Sequence, residues 1–396
     1  MTSYAPKILP TLLVIAPAEI ATVNLFAHIP YKRMAEKGLL QYRFRDEEGL
    51  EVADIYWADT IIAMRCCSVV VALQLYLARA HAKTILSFWD DDFLAIPPSS
   101  LSYAHFSKSS IKCWFHKILK LSDAIIVINE SLGKKLSAVA GKPHLMQPMG
   151  IDAIVTAPTQ FETSEHFVLG FAGSADHADA LQTIIMPALE QLWDAGAQFS
   201  FEVIGSRRPI FPARGLSSGR RHFQHMITHL SATENYADWL AMRNKLNWHA
   251  TLAVLPQSEF HGHKFYNKLV EFGAAGIPCV YSDVAPYKGV VRDGQEGLLC
   301  ATTPEAFAAA ITRLFNPQLR NHVAQTSWQF VRDHHTPDAT DAQWFSTLKP
   351  YLILTDPNAP KSHTLLRFGA TVLQQLYRLK VAFWHWRQDV KKRFKK

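Results

Sequence analysis

Three charged residues in the stretch 260–299, FHGHKFYNKLVEFGAAGIPCVYSDVAPYKGVVRDGQEGLL, are spaced in a way that suits anion chemistry. Lys264, Lys268 and Glu271 follow one another at i, i+4 and i+7, which places two cations and a carboxylate on one face of an expected helix. Lysines at a helix start suit the phosphates of a diphosphate, because the free backbone N–H groups and the helix dipole also favour anions there. A carboxylate two turns along can accept hydrogen bonds from the paired hydroxyls of a ribose. The same spacing fits a solvated helix face with Glu–Lys pairing, so on its own it leaves both readings open. Gly276 suits a left-handed helix end, and the apolar run 278–281 after it reads as a buried strand.

Two other clusters carry chemistry. The run 169–177, LGFAGSADH, reads as a strand entering a Gly-Ser loop ahead of a helix, where backbone N–H groups can approach phosphate. Ser174 is then a donor to a diphosphate and His177 a contact to phosphate or sugar, with a tight strand–helix turn as the plainer alternative. The run 87–93, SFWDDDF, sets Asp90, Asp91 and Asp92 directly after a strand. Ligands of open α/β sheets collect at the carboxyl ends of strands, although Asp91 or Asp92 would also serve as a cap for the next segment.

The elements that must hold these residues alternate between short apolar runs and helical segments, the pattern of parallel, doubly wound sheets. In the first half, strands are expected at 11–16, 60–64, 84–88, 124–128 and 144–146, and helices at 19–37, 69–81, 110–121 and 130–140. A break at 150–165, with Pro158, several Thr and Ser and no clear period, reads as an interdomain linker. The second half restarts with strands at 166–170, 199–204 and 251–255, and helices at 180–193 and 234–246. A first strand accounts for 11–16 better than a signal peptide does, and Arg65 interrupts the longest apolar run short of membrane-spanning length.

With 396 residues, 48% of them apolar, the chain can build two cores of ordinary size. Its five cysteines show no metal-ligand spacing and read as reduced core thiols of a cytosolic protein. Charge is uneven. Residues 361–396 hold ten Lys and Arg against one Asp, a local +9 in a chain of +7, so the rest carries −2. The same tail repeats Leu365, Phe368, Val372, Leu376, Leu379, Phe383, Trp386, Val390 and Phe394 along one helix face. A basic amphipathic helix with aromatic residues suits an anionic membrane surface, while the alternative is a closing helix whose early part packs on the body. A nucleic-acid arm fits less well, because the regular apolar stripe calls for an apolar partner.

The stretch 260–299 resembles the donor-binding half of GT-B glycosyltransferases, in particular a bacterial branch of the large retaining family that uses nucleotide sugars. The shared elements stand here as Phe260, Lys264, Lys268, Glu271, Gly276-Ile277-Pro278-Cys279-Val280, Pro286-Tyr287 and Asp293-Gly294-Gln295-Glu296-Gly297-Leu298-Leu299. The 169–177 run looks like the turn opening the donor domain of that branch, and Met149-Gly150-Ile151-Asp152 resembles its crossover turn, read as a hinge. The Asp293–Gly297 loop is read as a turn that supports the donor helix. Two positions depart from the wider family. His263 stands where it often carries a Glu, and its Arg-x5-Lys diphosphate pair has no counterpart near residue 173, leaving Arg207 and Arg208 as substitutes.

The resemblance implies a GT-B α/β fold: two Rossmann-like doubly wound domains facing a cleft, with a C-terminal basic amphipathic helix. An acceptor-side domain is expected over 1–155, a nucleotide-sugar donor domain over 165–335, and a crossover with the helical tail over 336–396. It further implies donor contacts at Gly173, Ser174, Lys264, Lys268 and Glu271, and catalytic roles for Asp90, Asp91 and His177. No metal or cofactor is expected, only a nucleoside diphosphate sugar as donor substrate. The expected partners are a glycan or lipid-linked acceptor and an anionic membrane surface contacted through 364–396, with no nucleic acid. The expected place is the inner face of the cytoplasmic membrane. Three other readings stay open: a GT-A-like metal site at Asp90–Asp92, a sugar-nucleotide epimerase, and a nucleotide-binding module without turnover.

Overall fold

The computed structural model describes residues 9–159, 166–173, 177–205, 227–231, 233, 235–355 and 363–393. The chain divides into two compact units. The first comprises the chain up to Asp90, His105–Met149 and the chain from Asp341; the second comprises Asp91–Ala104 and Gly150–Thr340. The segment that follows the Asp cluster therefore belongs to the second unit, although it lies within the first half of the sequence.

The first unit is built on a six-stranded parallel sheet in the order β2-β1-β3-β4-β5-β6. Its strands are β1 (Thr11–Ala16), β2 (Gln41–Asp46), β3 (Thr60–Met64), β4 (Thr84–Trp89), β5 (Ala124–Val127) and β6 (His144–Met146). The central strands are continuous apolar runs because helices cover both faces of a parallel sheet. β2 was not expected. It is an edge strand of sequence QYRFRD, whose Arg43 and Arg45 both pair with the buried Asp54, at 2.7 and 3.0 Å. The helix expected at 19–37 forms with a π-turn over Asn24–His28, which continues into α1 (Ile29–Glu36). α2 (Val52–Trp57), α3 (Val69–Ala80), α4 (Ser109–Leu121) and α5 (Glu130–Ala140) complete the layer. Asn129 caps α5 by accepting from the Ser131 and Leu132 N–H groups.

The second unit carries another six-stranded parallel sheet, in the order β12-β11-β10-β7-β8-β9. Its strands are β7 (Phe167–Ala172), β8 (Phe199–Ile204), β9 (Ile227–Leu230), β10 (Ala250–Ala253), β11 (Cys279–Ser282) and β12 (Leu298–Cys300). The chain runs outward from β7 through β8 to β9, then returns to lay β10 on the opposite side of β7. That reversal is the topological switch point, where open α/β sheets place their ligands. Gly170 lies on β7 because a Cβ there would come within 2.0 Å of the Trp248 ring, while the Trp248 indole N–H donates to Glu202 at 2.7 Å. The helices of this unit are α6 (Met186–Asp194), α7 (Tyr236–Arg243), α8 (Glu259–Gly262), α9 (Asn267–Ala274), α10 (Pro304–Leu314) and α11 (Pro317–His334). α12 (Pro337–Leu348) and α13 (Thr364–Arg393) follow.

The cysteines depart from the sequence expectation at one position. Cys66, Cys67 and Cys279 are buried and Cys300 half-buried, but Cys113 is exposed on α4. Among the described residues, no helix is long and apolar enough to cross a membrane.

α13 forms over thirty residues, and its inner face docks on the first unit, against α2 and α3. That face consists of Leu366, Ala370, Leu373, Gln374, Tyr377 and Val381, of which Ala370 and Gln374 are buried. Gln374 donates to the carbonyls of Glu47 and Glu48, at 2.8 and 3.1 Å, and Arg378 donates to Glu48 O at 2.9 Å. The apolar stripe recognised in the sequence is on the other side. From Leu365 to Trp386 its described members are all exposed, so the early part of the helix packs on the body as expected, but through the face opposite the stripe.

Candidate functional site

The loops at the carboxyl ends of β7 and β10, neighbours across the switch point, gather most of the expected site residues within the second unit. After β7 comes Gly173, whose N–H donates to Ile204 O at 2.9 Å. A Cβ on Gly173 would lie 2.9 Å from the His177 ring and from the Phe171 ring, so the turn is closely filled. His177 packs edge-on against Phe171, with ring centroids 6.0 Å apart. Ser174, Arg207 and Arg208 lie outside the described residues.

The helix expected to carry Lys264, Lys268 and Glu271 together is broken. α8 stops at Gly262 and α9 begins at Asn267, so Lys264 lies in the connection and only Lys268 and Glu271 share a helix. Tyr266, at φ −82° and ψ 42°, is off the helical path, and its ring stacks on Phe265 with centroids 4.1 Å apart. The break leaves the anion-attracting helix start at Asn267, one residue before Lys268. α9 ends as expected, with Gly276 in the left-handed region at φ 66°.

Lys268 Nζ donates to Ala172 O at 2.6 Å, which fixes it beside the end of β7 and the Gly173 turn. It also approaches Glu271 Oε2 at 4.0 Å. Glu271 is buried and accepts a hydrogen bond from Tyr236 OH at 3.3 Å. Burial pushes the Tyr236 phenol well above its ordinary range, and the Glu271 charge adds to the effect. Behind them lies the fully buried Arg243, which donates to Ala153 O and to Asn244 Oδ1. Burial lowers the Arg243 pKa, and the nearby Glu271 charge opposes that shift. A carboxylate offers about four acceptor positions, so Tyr236 leaves Glu271 capacity for further donors.

The three aspartates after β4 separate. Asp90 belongs to the first unit, where Thr22 Oγ1 donates to it at 2.7 Å and Arg65 Nε stands 3.2 Å from its other oxygen. Asp91 and Asp92 belong to the second unit. Lys264 Nζ donates to Asp91 Oδ1 at 2.8 Å and lies 4.4 Å from the centre of the Phe260 ring. Asp92 is fully buried, and its Oδ2 stands 2.8 Å from His263 Nδ1. Asp92 Oδ1 accepts the Leu94 N–H at 3.1 Å, which is a local capping contact.

His261, two residues earlier, has its pKa pushed down to about 4, chiefly by burial and then by the Lys264 charge. It is therefore neutral near pH 7, with Ser258 Oγ 2.7 Å from its Nδ1. Asp92, Glu259 and His263 bring potential ligand atoms within 4.8 Å of one another, a set whose chemistry would suit a divalent cation.

Three pairings were not legible from the sequence: Asp92 with His263, Asp91 with Lys264, and Tyr236 and Arg243 with Glu271. The loop Asp293–Gly297 also differs from expectation. It ties back on itself through the Leu299 N–H to Asp293, and its Asp293 pairs with Arg313 on α10 rather than with α9.

Comparison with known proteins follows the same lines. Residues 166–317 match the family model described as Glycosyl transferases group 1. No curated protein matches the sequence. Among solved structures, the chain is similar to HepE from Anabaena, determined with UDP and glucose. That match has a TM-score of 0.59 and 14% identity, over 86% of this chain and 100% of that one. It is also similar to the lipopolysaccharide outer core galactosyltransferase WaaB, with a TM-score of 0.54 and 13% identity over 86% and 99% of the two chains. Sucrose-phosphate synthase from Thermosynechococcus elongatus gives a TM-score of 0.58 and 13% identity over 87% and 99%. The two parallel six-stranded sheets with their surrounding helices are thus those of GT-B glycosyltransferase structures.

Proposed function

We propose that this chain is a glycosyltransferase that moves a sugar from a nucleoside diphosphate donor to a hydroxyl of a membrane-borne or lipid-linked glycan acceptor, in the assembly of a surface polysaccharide or lipopolysaccharide. The observation that carries the reading is the convergence of Lys268, Glu271 and the Gly173 turn at the switch point of a domain that matches the glycosyl transferases group 1 model. Glu271 accepts the ribose hydroxyls, with Tyr236 holding the carboxylate in place. Lys268, Lys264 and the backbone of the Gly173-Ser174 turn bind the diphosphate, and His177 contacts phosphate or sugar from the same turn.

Negative charge grows on the leaving phosphate as the glycosidic bond breaks. Cations and N–H groups fixed before the reaction stabilise that state more than the ground state, and this supplies the leaving-group assistance without a metal ion. Lys264 is held by Asp91 in the protein alone; binding of a diphosphate places a second anion at the same ammonium group. Asp90 or Asp91 serves as the base for the acceptor hydroxyl. Retention of the anomeric configuration is the outcome that the resemblance implies. The protein acts at the inner face of the cytoplasmic membrane, engaged through residues 364–396.

HepE was determined with UDP, which makes the uridine nucleotide the first to try. The test is thermal stabilisation by UDP, GDP, CDP and dTDP, each with and without EDTA, for the wild type and Glu271→Ala. One nucleotide should raise the melting temperature, insensitively to EDTA, and the shift should vanish in the variant. No shift with any nucleotide would overturn the proposal. A shift that needs metal and ignores Glu271 would instead favour a cation at Asp92, Glu259 and His263.

A further inference from the structure

The C-terminal helix has two apolar faces, and the structure uses only one of them. Leu366, Ala370, Leu373, Tyr377 and Val381 lie on the side docked to α2 and α3. Leu365, Phe368, Val372, Leu376, Leu379, Phe383 and Trp386 lie on the opposite side, at exposures running from 39% at Val372 to 88% at Leu365. They form a stripe about 32 Å long at 1.5 Å per residue, uncovered by any described residue. An apolar patch of this extent on a folded protein marks a surface that meets something apolar.

Charge says what that partner is. Helical spacing sets Lys380 and Arg387 along one edge of the stripe and Arg367 along the other border, with Lys391, Lys392 and Arg393 following in the sequence. Asp389 is the one acidic residue in the helix. Two copies of the helix pairing stripe to stripe would bring these cations together, whereas an anionic lipid surface meets both the apolar and the basic features. Trp386 on the stripe supplies an amphipathic ring of the kind favoured at the water–lipid boundary.

We infer that α13 is a preformed strap, docked on the first unit by its inner face, that inserts its outer stripe in the plane of an anionic bilayer. This rests on the reading of a membrane-borne acceptor and deepens it, by naming the face that meets lipid and the one that does not. The inner hydrogen bonds from Gln374 and Arg378 hold the helix to the body before lipid arrives, so binding requires no coil-to-helix step. A segment that folded on the membrane would gain helix on binding; this one would not.

The experiment is flotation of the full chain with vesicles of phosphatidylcholine alone and of an equal mixture with phosphatidylglycerol, for four proteins. These are the wild type, the outer-face variant L379D/F383D, the edge variant K380E/R387E, and the inner-face variant Gln374→Ala. The wild type should float with the mixed vesicles and tenfold or more weakly with phosphatidylcholine, with no change in helical circular dichroism. The outer-face variant should lose about a hundredfold in partitioning, the order expected when two large apolar side chains no longer leave water. It should keep the wild-type melting temperature and nucleotide-induced shift, which separates this inference from the proposed catalytic function. The edge variant should lose the preference for the anionic vesicles, and Gln374→Ala should float like the wild type at equal folded fraction. Wild-type partitioning by the outer-face variant would overturn the inference, as would absence of wild-type flotation. A wild-type dimer that L379D/F383D converts to monomer, with no vesicle binding, would assign the stripe to a second copy instead.

Discussion

Removing either member of the Asp92–His263 pair should loosen the wall of the candidate site, and the coupling between them can be worked out from their burial. The Asp92 side chain is wholly buried and that of His263 is 9% exposed, with 2.8 Å between Oδ2 and Nδ1. At such burial neither group recovers a water partner when the other is deleted. His263→Ala strips the buried Asp92 carboxylate of its imidazole partner, and Asp92→Ala strips the His263 ring and the Leu94 N–H of theirs. Breaking a buried pair from one side costs about 3–5 kcal/mol. Once one partner is gone, deleting the second removes a stranded group, so the double variant should lie close to either single variant. The expected coupling is then about the size of one single effect, on the order of 3–5 kcal/mol. Asp92→Asn keeps a hydrogen-bond partner for Nδ1 and should cost only about 1–2 kcal/mol.

A chain of two units is a poor subject for one global unfolding energy. Amide hydrogen exchange resolved to peptides over 91–104 and 259–274 reads the local opening instead. A loss of 3 kcal/mol corresponds to about a hundredfold faster exchange in those peptides, with β1 to β3 unaffected. Wild-type exchange in either single variant would refute a stabilising role for the pair. Effects of the two substitutions that simply add would show that the pair is not coupled.

Two further outcomes follow from burial. His261 has a folded pKa of about 4 against an unfolded value of about 6.5, so the unfolded chain takes up its proton first and the stability this residue contributes is present above pH 6.5 and lost as pH falls toward 4. Discounted for partial exposure the effect is on the order of 1–2 kcal/mol, and His261→Asn should flatten the fall in melting temperature over that window relative to the wild type. Burial pushes the Cys67 and Cys300 thiols up to about 12 and those of Cys66 and Cys279 up as well, leaving Cys113 as the exposed thiol. One thiol per native chain should therefore react quickly with an aromatic disulfide at pH 8, and Cys113→Ser should abolish that phase.

The strands read from the sequence are β1, β3 to β8, β10 and β11, most of them apolar runs buried on both faces. At β2 and β9, both edge strands, that signal is weak. QYRFRD in β2 and ITHL in β9 each have one open side, and in β2 Arg43 and Arg45 reach Asp54 rather than pack. The i, i+4, i+7 spacing of Lys264, Lys268 and Glu271 survives intact in the sequence, yet the helix breaks between the first two. A period records which residues would share a face if the helix were continuous; it carries no information about a contact that competes with continuity. Here His263 and Lys264 are both tied to carboxylates about 170 positions away in the chain. No local pattern at 91–92 or 263–264 announces that pairing.

The tail shows the complementary limit. Its most regular apolar stripe was legible to the residue, but regularity does not say which side of the helix meets protein. Docking selected the less conspicuous face, because Ala370 lets the helix approach closely and Gln374 can satisfy two loop carbonyls at the contact, which no residue of the leucine-and-phenylalanine stripe could do. Large side chains on the outer face would hold the helix away from α2 and α3 and leave the carbonyls of Glu47 and Glu48 without those donors. The same geometry that makes the inner face a good protein contact thus leaves the outer face for a partner that is deformable and asks for no matched hydrogen bonds, which is the chemistry of lipid.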